Sequence, residues 1–295
     1  MVRIGIGGGK RMAPKPARLQ PVYKSKLGML YEADCMAVLP TIASGSIDTV
    51  FADPPFNLGK DYGTRCNDDR PEAIYLNWCK AWLAECVRVL KPGGSLFVYN
   101  LPKWNMPIGA HLTETGMDFR HWIAIEHKSG LPIAGRLYPA HYSLLYFSKG
   151  KPTRFHRIRT PIEVCRHCKG EIRDYGGHRD AMNPNGVTLK DVWTDIPPVR
   201  HRKFKPEGRS ANAISTKILE RVIEMSTRPG DLVLDPFGGS GTTYSVCEQR
   251  HRHWIGIEIG TTRPIIDRLT GDNTIHHRNH DFVERRAAVP LIAAE

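Results

Sequence analysis

The segment Leu232–Thr243 places a very apolar strand directly before a glycine-rich turn and the start of a helix. The strand reads Leu-Val-Leu-Asp, and the turn reads Pro-Phe-Gly-Gly-Ser-Gly. Glycines let a backbone approach another molecule closely, and the first N–H groups of a helix have no partner inside it. A buried strand that runs into such a turn is typical of an α/β protein with a parallel sheet, so this segment constrains the fold more than any other.

Strands and helices alternate along the rest of the chain. Apolar runs predict strands over residues 28–31, 47–52, 95–99, 122–126, 142–147, 232–234 and 253–259. Helical spacing of apolar residues predicts helices over residues 35–42, 72–90, 105–116, 213–226 and 243–250. This alternation predicts a doubly wound, Rossmann-like α/β sheet.

A carboxylate stands at the end of the strand that follows the glycine-rich turn. Glu258 lies 23 residues after Asp235, at the tip of an apolar run. An acid about 20 residues beyond a glycine-rich turn, at a strand end, can accept both ribose hydroxyls of a nucleoside. The two segments together predict a site for a nucleoside cofactor.

A second polar segment, Asp53-Pro54-Pro55-Phe56, follows another buried strand. The prolines fix two φ angles and remove two N–H donors, which leaves the Pro54 carbonyl as an acceptor. Asp53 adds a carboxylate, and Phe56 adds a flat apolar face. Two acceptors beside an aromatic ring suit the exocyclic amino group of a stacked base.

The positive charge of the chain is concentrated in two blocks. The net charge is +12; residues 1–26 carry +7, and residues 151–210 carry +7. Such blocks suit a polyanionic partner, and nucleic acid is the one we expect. We predict a flexible basic arm over 1–26 and a basic insert over 151–210, between the two halves of an α/β domain at 27–150 and 211–295.

Composition excludes several classes of protein. A chain of 295 residues that is 41% hydrophobic and 24% charged is typical of a soluble globular protein. No run approaches the ~18 apolar residues of a membrane helix, so we expect no membrane partner. The seven cysteines are scattered and no export signal precedes them, which predicts reduced thiols and a cytoplasmic location.

These motifs resemble those of the amino-group DNA methyltransferases. Asp53–Phe56 is similar to their D-P-P-Y/F motif, and Asp235–Thr243 to their D-P-F-x-G-S-G-T-T loop for S-adenosyl-L-methionine. The flanks agree over most of residues 28–260, including Asp34-Cys35 and the turn Lys91–Gly94. The motif order resembles the circularly permuted β group, in which an insert between the two motifs recognises the target.

The resemblance implies a role for each matching residue. The implied catalytic residues are Asp53, Pro54, Pro55 and Phe56. The implied S-adenosylmethionine contacts are Asp34, Cys35, Asp53, Asp235, Pro236, Phe237, Gly239, Ser240, Gly241, Thr242, Glu258 and Lys217. We expect the insert to bind double-stranded DNA through Arg154, Arg157, Arg159, Arg200, Arg202 and Lys203. A homodimer and a cognate restriction endonuclease are further partners of such enzymes.

Two features depart from the family pattern or stand outside it. Lys217 matches a lysine of the segment before the cofactor loop, but the histidine and both prolines of that segment are missing. Cys165 and Cys168 form half of a zinc knuckle without a second Cys-x-x-Cys, so two reduced thiols and no bound metal are expected.

The implied reaction is methyl transfer from S-adenosylmethionine to N6 of adenine in duplex DNA, after the base is flipped out of the helix. N4 of cytosine is the alternative target, although that branch resembles S-P-P-Y at the catalytic motif. Methylation of RNA or of a protein glutamine is more distant, since those families favour Asn at the first position. A catalytically inactive DNA-binding subunit is the alternative of a different class.

Overall fold

The computed structural model describes residues 19–59, 68–127, 134–135, 137–162, 183, 185–197 and 213–271. Its strands are β1 Tyr23–Lys24, β2 Gly28–Glu32, β3 Ile47–Ala52, β4 Leu90–Asn100, β5 Asp118–Glu126, β6 His141–Ser148, β7 Arg159–Thr160, β8 Val187–Thr188, β9 Val192–Trp193, β10 Leu232–Asp235 and β11 His253–Glu258. Its α-helices are α1 Cys35–Val38, α2 Glu72–Val89, α3 Pro102–Glu114, α4 Thr216–Ser226, α5 Thr242–Gln249 and α6 Arg263–Thr270.

Nine of these strands form one sheet, in the order β1-β2-β11-β10-β3-β4-β6-β5-β9. The five strands from β2 to β4 are parallel to one another. Strand β1 is antiparallel to β2, and β6 is antiparallel to both β4 and β5. The carboxyl ends of the five parallel strands therefore share one edge, where open α/β sheets bind their ligands.

Helices cover both faces of the sheet. One core lies under α1, α2 and α3 and includes Trp82, Cys86 and Ile108. The other lies under α4, α5 and α6 and includes Val222 and Tyr244. This arrangement confirms the predicted doubly wound α/β fold, in which strands buried on both faces read as continuous apolar runs.

The sheet extends into two segments that were predicted as the arm and the insert. Tyr23–Lys24 belongs to the predicted arm, yet it pairs with β2. Val192–Trp193 belongs to the predicted insert, yet it pairs in parallel with β5 and completes the sheet. Residues 1–18 of the predicted arm over 1–26 lie outside the described residues.

The predicted turn Lys91–Gly94 is an irregularity within β4, between the pairs Leu90–Ile47 and Ser95–Thr49 that β4 makes with β3. Gly93 has a φ of 75° there, and the Lys91 ammonium forms an ion pair with Asp48 at 2.7 Å. Helix α6 was not predicted, although Pro264 at its start and the spacing of Ile265 and Leu269 indicate it.

None of the helices in the described ranges combines the length and the apolar composition needed to cross a bilayer.

Candidate active site

The parallel part of the sheet brings the polar residues at its strand ends to one edge. In sheet order, the residues at or just after these ends are Asp34, Glu258, Asp235, Asp53 and Asn100. Four of the five were predicted from sequence as site residues. The two predicted motifs lie about 180 residues apart in the chain, and they meet because β3 pairs directly with β10.

The segment 53–58, here called the Asp53 loop, is held by two aromatic side chains. The Tyr75 hydroxyl donates to the Pro55 carbonyl at 2.7 Å, and the Trp104 indole donates to the Phe56 carbonyl at 2.7 Å. Among the described residues, none donates a hydrogen bond to the Pro54 carbonyl. Its role as an acceptor for a bound group stays a prediction.

Phe56 lies beside two tyrosines that were not predicted as site residues. Its ring centroid is 5.9 Å from that of Tyr99 and 5.8 Å from that of Tyr142. Burial, together with the negative charge of Asp53, raises the pKa of both tyrosine hydroxyls. The Asp53 carboxylate and these rings therefore line the same part of the edge. No local sequence pattern indicates this, because it depends on β6 pairing antiparallel with β4.

The residues 235–243 are here called the glycine loop, and the side chain of its first residue, Asp235, holds the loop together. Its carboxylate is 2% exposed and accepts hydrogen bonds from the Phe237 N–H and the Thr243 hydroxyl. Burial raises the pKa of Asp235 to about 7, although these two hydrogen bonds oppose the rise. The carboxylate is used inside the loop, so direct contact with a cofactor stays a prediction.

Glycines shape the upper part of this loop. Gly239 and Gly241 have φ angles of 51° and 75°, which other residues rarely adopt. Helix α5 begins after Gly241, and no side chain caps this end. The first N–H groups of a helix have no acceptor within the helix. Such an end favours an anionic group, and the carboxylate of a bound amino-acid moiety would fit there.

Glu258 stands beside the glycine loop at the end of the neighbouring strand. One of its oxygens accepts from the Gly239 N–H and the other from the Gly260 N–H, both at 2.7 Å. Burial raises the pKa of Glu258, while these bonds lower it. A carboxylate has about four acceptor positions, and the backbone N–H groups of Gly239, Gly260 and Ile259 occupy three, so the side chain can still accept from a ribose hydroxyl. The residues present thus fit the nucleoside part of S-adenosylmethionine.

The other predicted cofactor contacts occupy the surroundings of this edge. Asp34 caps α1 by accepting from the Met36 N–H at 2.8 Å, and Cys35 is buried in the core. Burial and the neighbouring Asp34 raise the pKa of the Cys35 thiol to about 12. Phe237 packs its ring edge-on against Trp82 at 5.1 Å. Pro236, Ser240 and Thr242 are buried in the glycine loop.

Lys217 has a different partner from the predicted one. Its ammonium group donates to the Asp195 carboxylate at 2.6 Å, which also accepts two hydrogen bonds from Arg221. Burial of Asp195 opposes its ionisation, but the bonds from Arg221 and Lys217 prevail and lower its pKa to about 2. Lys217 therefore ties α4 to the predicted insert, and its contact with the cofactor stays a prediction.

The described part of the insert contains three of the six predicted DNA contacts. Arg154 approaches Asp231 at 3.6 Å, and Arg159 donates to the Gly186 carbonyl at 2.8 Å between β7 and β8. Arg157 is exposed beside a groove that Phe155 also lines. The other three predicted contacts, Arg200, Arg202 and Lys203, lie outside the described residues, as do Cys165 and Cys168.

Comparison with known proteins identifies the family. Residues 47–263 match the DNA methylase family of N6 and N4 type. The chain is 51% identical over 252 residues to the type II methyltransferase M.BamHI of Bacillus amyloliquefaciens, which covers 85% of this chain and 59% of that protein. It is 30% identical over 234 residues to the DNA adenine methyltransferase YhdJ of Escherichia coli strain K12, which covers 79% of this chain and 78% of the relative. The chain therefore belongs to the N6/N4 DNA methylase family.

Solved structures share the fold. The PvuII DNA methyltransferase, a cytosine-N4-specific enzyme, superposes with a TM-score of 0.61 at 21% identity, covering 91% of this chain and 95% of that one. The complex of M1.HpyAVI with S-adenosylmethionine superposes with a TM-score of 0.54 at 19% identity, covering 82% and 99%. The predicted family is confirmed. The chain spans about three fifths of the length of M.BamHI.

Proposed function

We propose that this protein transfers the methyl group of S-adenosylmethionine to an exocyclic amino group of a base in duplex DNA. One observation carries the proposal: β3, which Asp53 and Pro54 directly follow, pairs in parallel with β10, which leads into the glycine loop. A base amino group and a cofactor methyl group must meet within a few ångströms, and this edge is where two such sites adjoin.

The chain's own residues would position the amino group. Phe56 would stack on the ring of the flipped base, while the Asp53 carboxylate and the Pro54 carbonyl would accept hydrogen bonds from its amino group. These bonds favour a tetrahedral nitrogen and free its lone pair from the ring. S-adenosylmethionine, when bound, supplies an electrophilic methyl group on sulfur. Catalysis then depends on positioning and on fixed acceptors.

We propose N6 of adenine as the target atom, because Asp at the first position of the catalytic motif resembles the adenine-specific members. N4 of cytosine is the second candidate. The same pair of acceptors suits either amino group, and the PvuII enzyme, whose fold is similar, is cytosine-N4-specific. A cytoplasmic site of action, a homodimer and a cognate restriction endonuclease stay predictions.

The test combines methyl transfer with identification of the product. The purified protein is incubated with labelled S-adenosylmethionine and unmethylated duplex DNA, which is then digested to nucleosides and analysed by mass spectrometry. We expect N6-methyldeoxyadenosine in the wild type and no methylated nucleoside with Asp53→Ala. N4-methyldeoxycytidine alone would transfer the assignment to the second candidate. No methylated nucleoside from folded, cofactor-bound wild type would refute the proposal.

A further inference from the structure

The Asp53 loop has an anchor at its far end that the catalytic motif does not include. The N–H groups of Asn57 and Leu58 donate to the two carboxylate oxygens of Asp68, at 2.7 and 3.1 Å. Asp68 is only 3% exposed. A buried carboxylate that accepts two adjacent backbone N–H groups holds that backbone in one orientation, because hydrogen bonds to a charged acceptor are short and strong.

The Asn57 side chain adds two further hydrogen bonds. Its Oδ1 accepts from the Arg70 N–H at 2.7 Å, and its Nδ2 donates to the Arg70 carbonyl at 2.8 Å. Asn57 itself has a φ of 55°, a left-handed conformation that Asn tolerates better than most residues. Backbone and side chain of Asn57 are therefore both bound to the segment 68–70.

This segment also reaches towards the glycine loop. The Arg70 guanidinium lies 4.8 Å from the centroid of the Trp78 ring, on α2. Trp78 in turn packs edge-on against Phe237 of the glycine loop, with centroids 5.7 Å apart. The segment that anchors the Asp53 loop and the predicted cofactor loop thus both contact Trp78.

We infer that Asn57 and Asp68 are positioning residues for methyl transfer, an inference that rests on the proposed function. The two prolines fix φ at positions 54 and 55, and Pro55 also restricts ψ at Pro54, so residues 53–55 are a stiff unit. The direction in which the Pro54 carbonyl points relative to the rest of the site therefore depends on how this unit is anchored, including where the chain is held beyond Phe56. Asp68 and Asn57 provide that hold, while neither is part of the motif predicted to touch the base.

The test uses two variants that weaken the anchor in different ways. Asn57→Gly keeps a residue suited to a positive φ but removes both side-chain bonds to Arg70. Asp68→Asn places an amide donor against one of the two N–H groups. Asp69→Asn is the matched control, since Asp69 is the exposed neighbour of Asp68 and the substitution removes the same negative charge as Asp68→Asn.

Each variant is measured for its single-turnover rate of methyl transfer, for its affinity for S-adenosylhomocysteine by calorimetry, and for its affinity for DNA. We expect the rate to fall on the order of 10²-fold in both anchor variants, the effect of a displacement of about 1 Å on catalysis. The affinities for S-adenosylhomocysteine and for DNA should stay as in the wild type. A general loss of folding would lower both affinities together with the rate. Asp69→Asn should keep the wild-type rate.

The wild-type rate is measured first, because its absence refutes the proposed function and not the anchor. With an active wild type, an unchanged rate in Asn57→Gly would overturn the inference, and so would an equal loss in Asp69→Asn. If Asp68→Asn fails to fold, Asn57→Gly decides the question alone, since it leaves the bonds from the backbone to Asp68 in place.

Discussion

Removal of one buried hydroxyl should measure how firmly the Asp53 loop is held. Tyr75 is 2% exposed, and its hydroxyl donates to the Pro55 carbonyl at 2.7 Å and accepts from the Asn100 amide at 3.0 Å. Burial raises the pKa of Tyr75, so the hydroxyl keeps its proton and remains a donor at physiological pH. Tyr75→Phe removes both bonds and retains the ring, which packs on Trp104 at 4.7 Å.

The expected loss follows from the two partners that remain. A buried polar group left without a partner costs about 1–3 kcal/mol, and the Asn100 amide is fully buried. The Pro55 carbonyl is only partly buried, so water can replace part of its bond. We therefore expect Tyr75→Phe to lower the free energy of unfolding by about 2–4 kcal/mol.

Urea unfolding gives this value directly. The midpoint should shift to lower urea at an unchanged slope, since the unfolded surface is the same. Tyr31→Phe is the matched control, because within the described residues the Tyr31 hydroxyl donates only to the Met29 sulfur, a weak acceptor, at 3.2 Å. Methyl transfer by Tyr75→Phe should also slow, with cofactor affinity retained. A midpoint equal to that of Tyr31→Phe would refute the reasoning that this hydroxyl holds the loop.

Four further predictions address the site, its pH dependence and its DNA contacts. Asp53→Ala should abolish methyl transfer and leave calorimetric binding of S-adenosylhomocysteine intact, because an acceptor of the transition state is lost; activity equal to the wild type would remove Asp53 from the catalytic set. Glu258→Ala should weaken cofactor binding by about 1.5–3 kcal/mol, the range for a hydrogen bond to a charged group; unchanged affinity would show that the ribose lies elsewhere. Because burial raises the pKa of Asp235 from 3.8 to about 7, the folded state holds this proton more tightly than the unfolded state. Its contribution to the free energy of unfolding should therefore fall as the pH rises from about 4 to about 7, and Asp235→Asn should remove that slope in urea titrations; identical slopes would contradict this account. Arg157→Gln should weaken binding to all DNA sequences alike and lower the salt dependence by about one unit, as measured by titration at several salt concentrations; a change in the methylated sequence would indicate base reading instead.

The sequence by itself determined the fold class and the two motifs that define the site. Strands buried on both faces read as continuous apolar runs, so β3, β10 and β11 were predicted almost residue for residue. The glycine loop was equally readable, because only glycine tolerates its positive φ angles well. The helix α6 follows the same rules and could have been predicted from its apolar spacing.

Only the tertiary structure decided what surrounds those motifs. The tyrosines beside Phe56 come from β4 and from antiparallel β6, and no local pattern shows that these strand ends share an edge. The hydrogen bond from Lys217 to Asp195, 22 residues earlier in the chain, could not be predicted from the sequence either. The hold of Tyr75 and Asp68 on the Asp53 loop likewise depends on contacts between residues more than ten positions apart. Local sequence encodes backbone preference and burial, whereas the partner of a polar group is set by which strands and helices become neighbours when the chain folds.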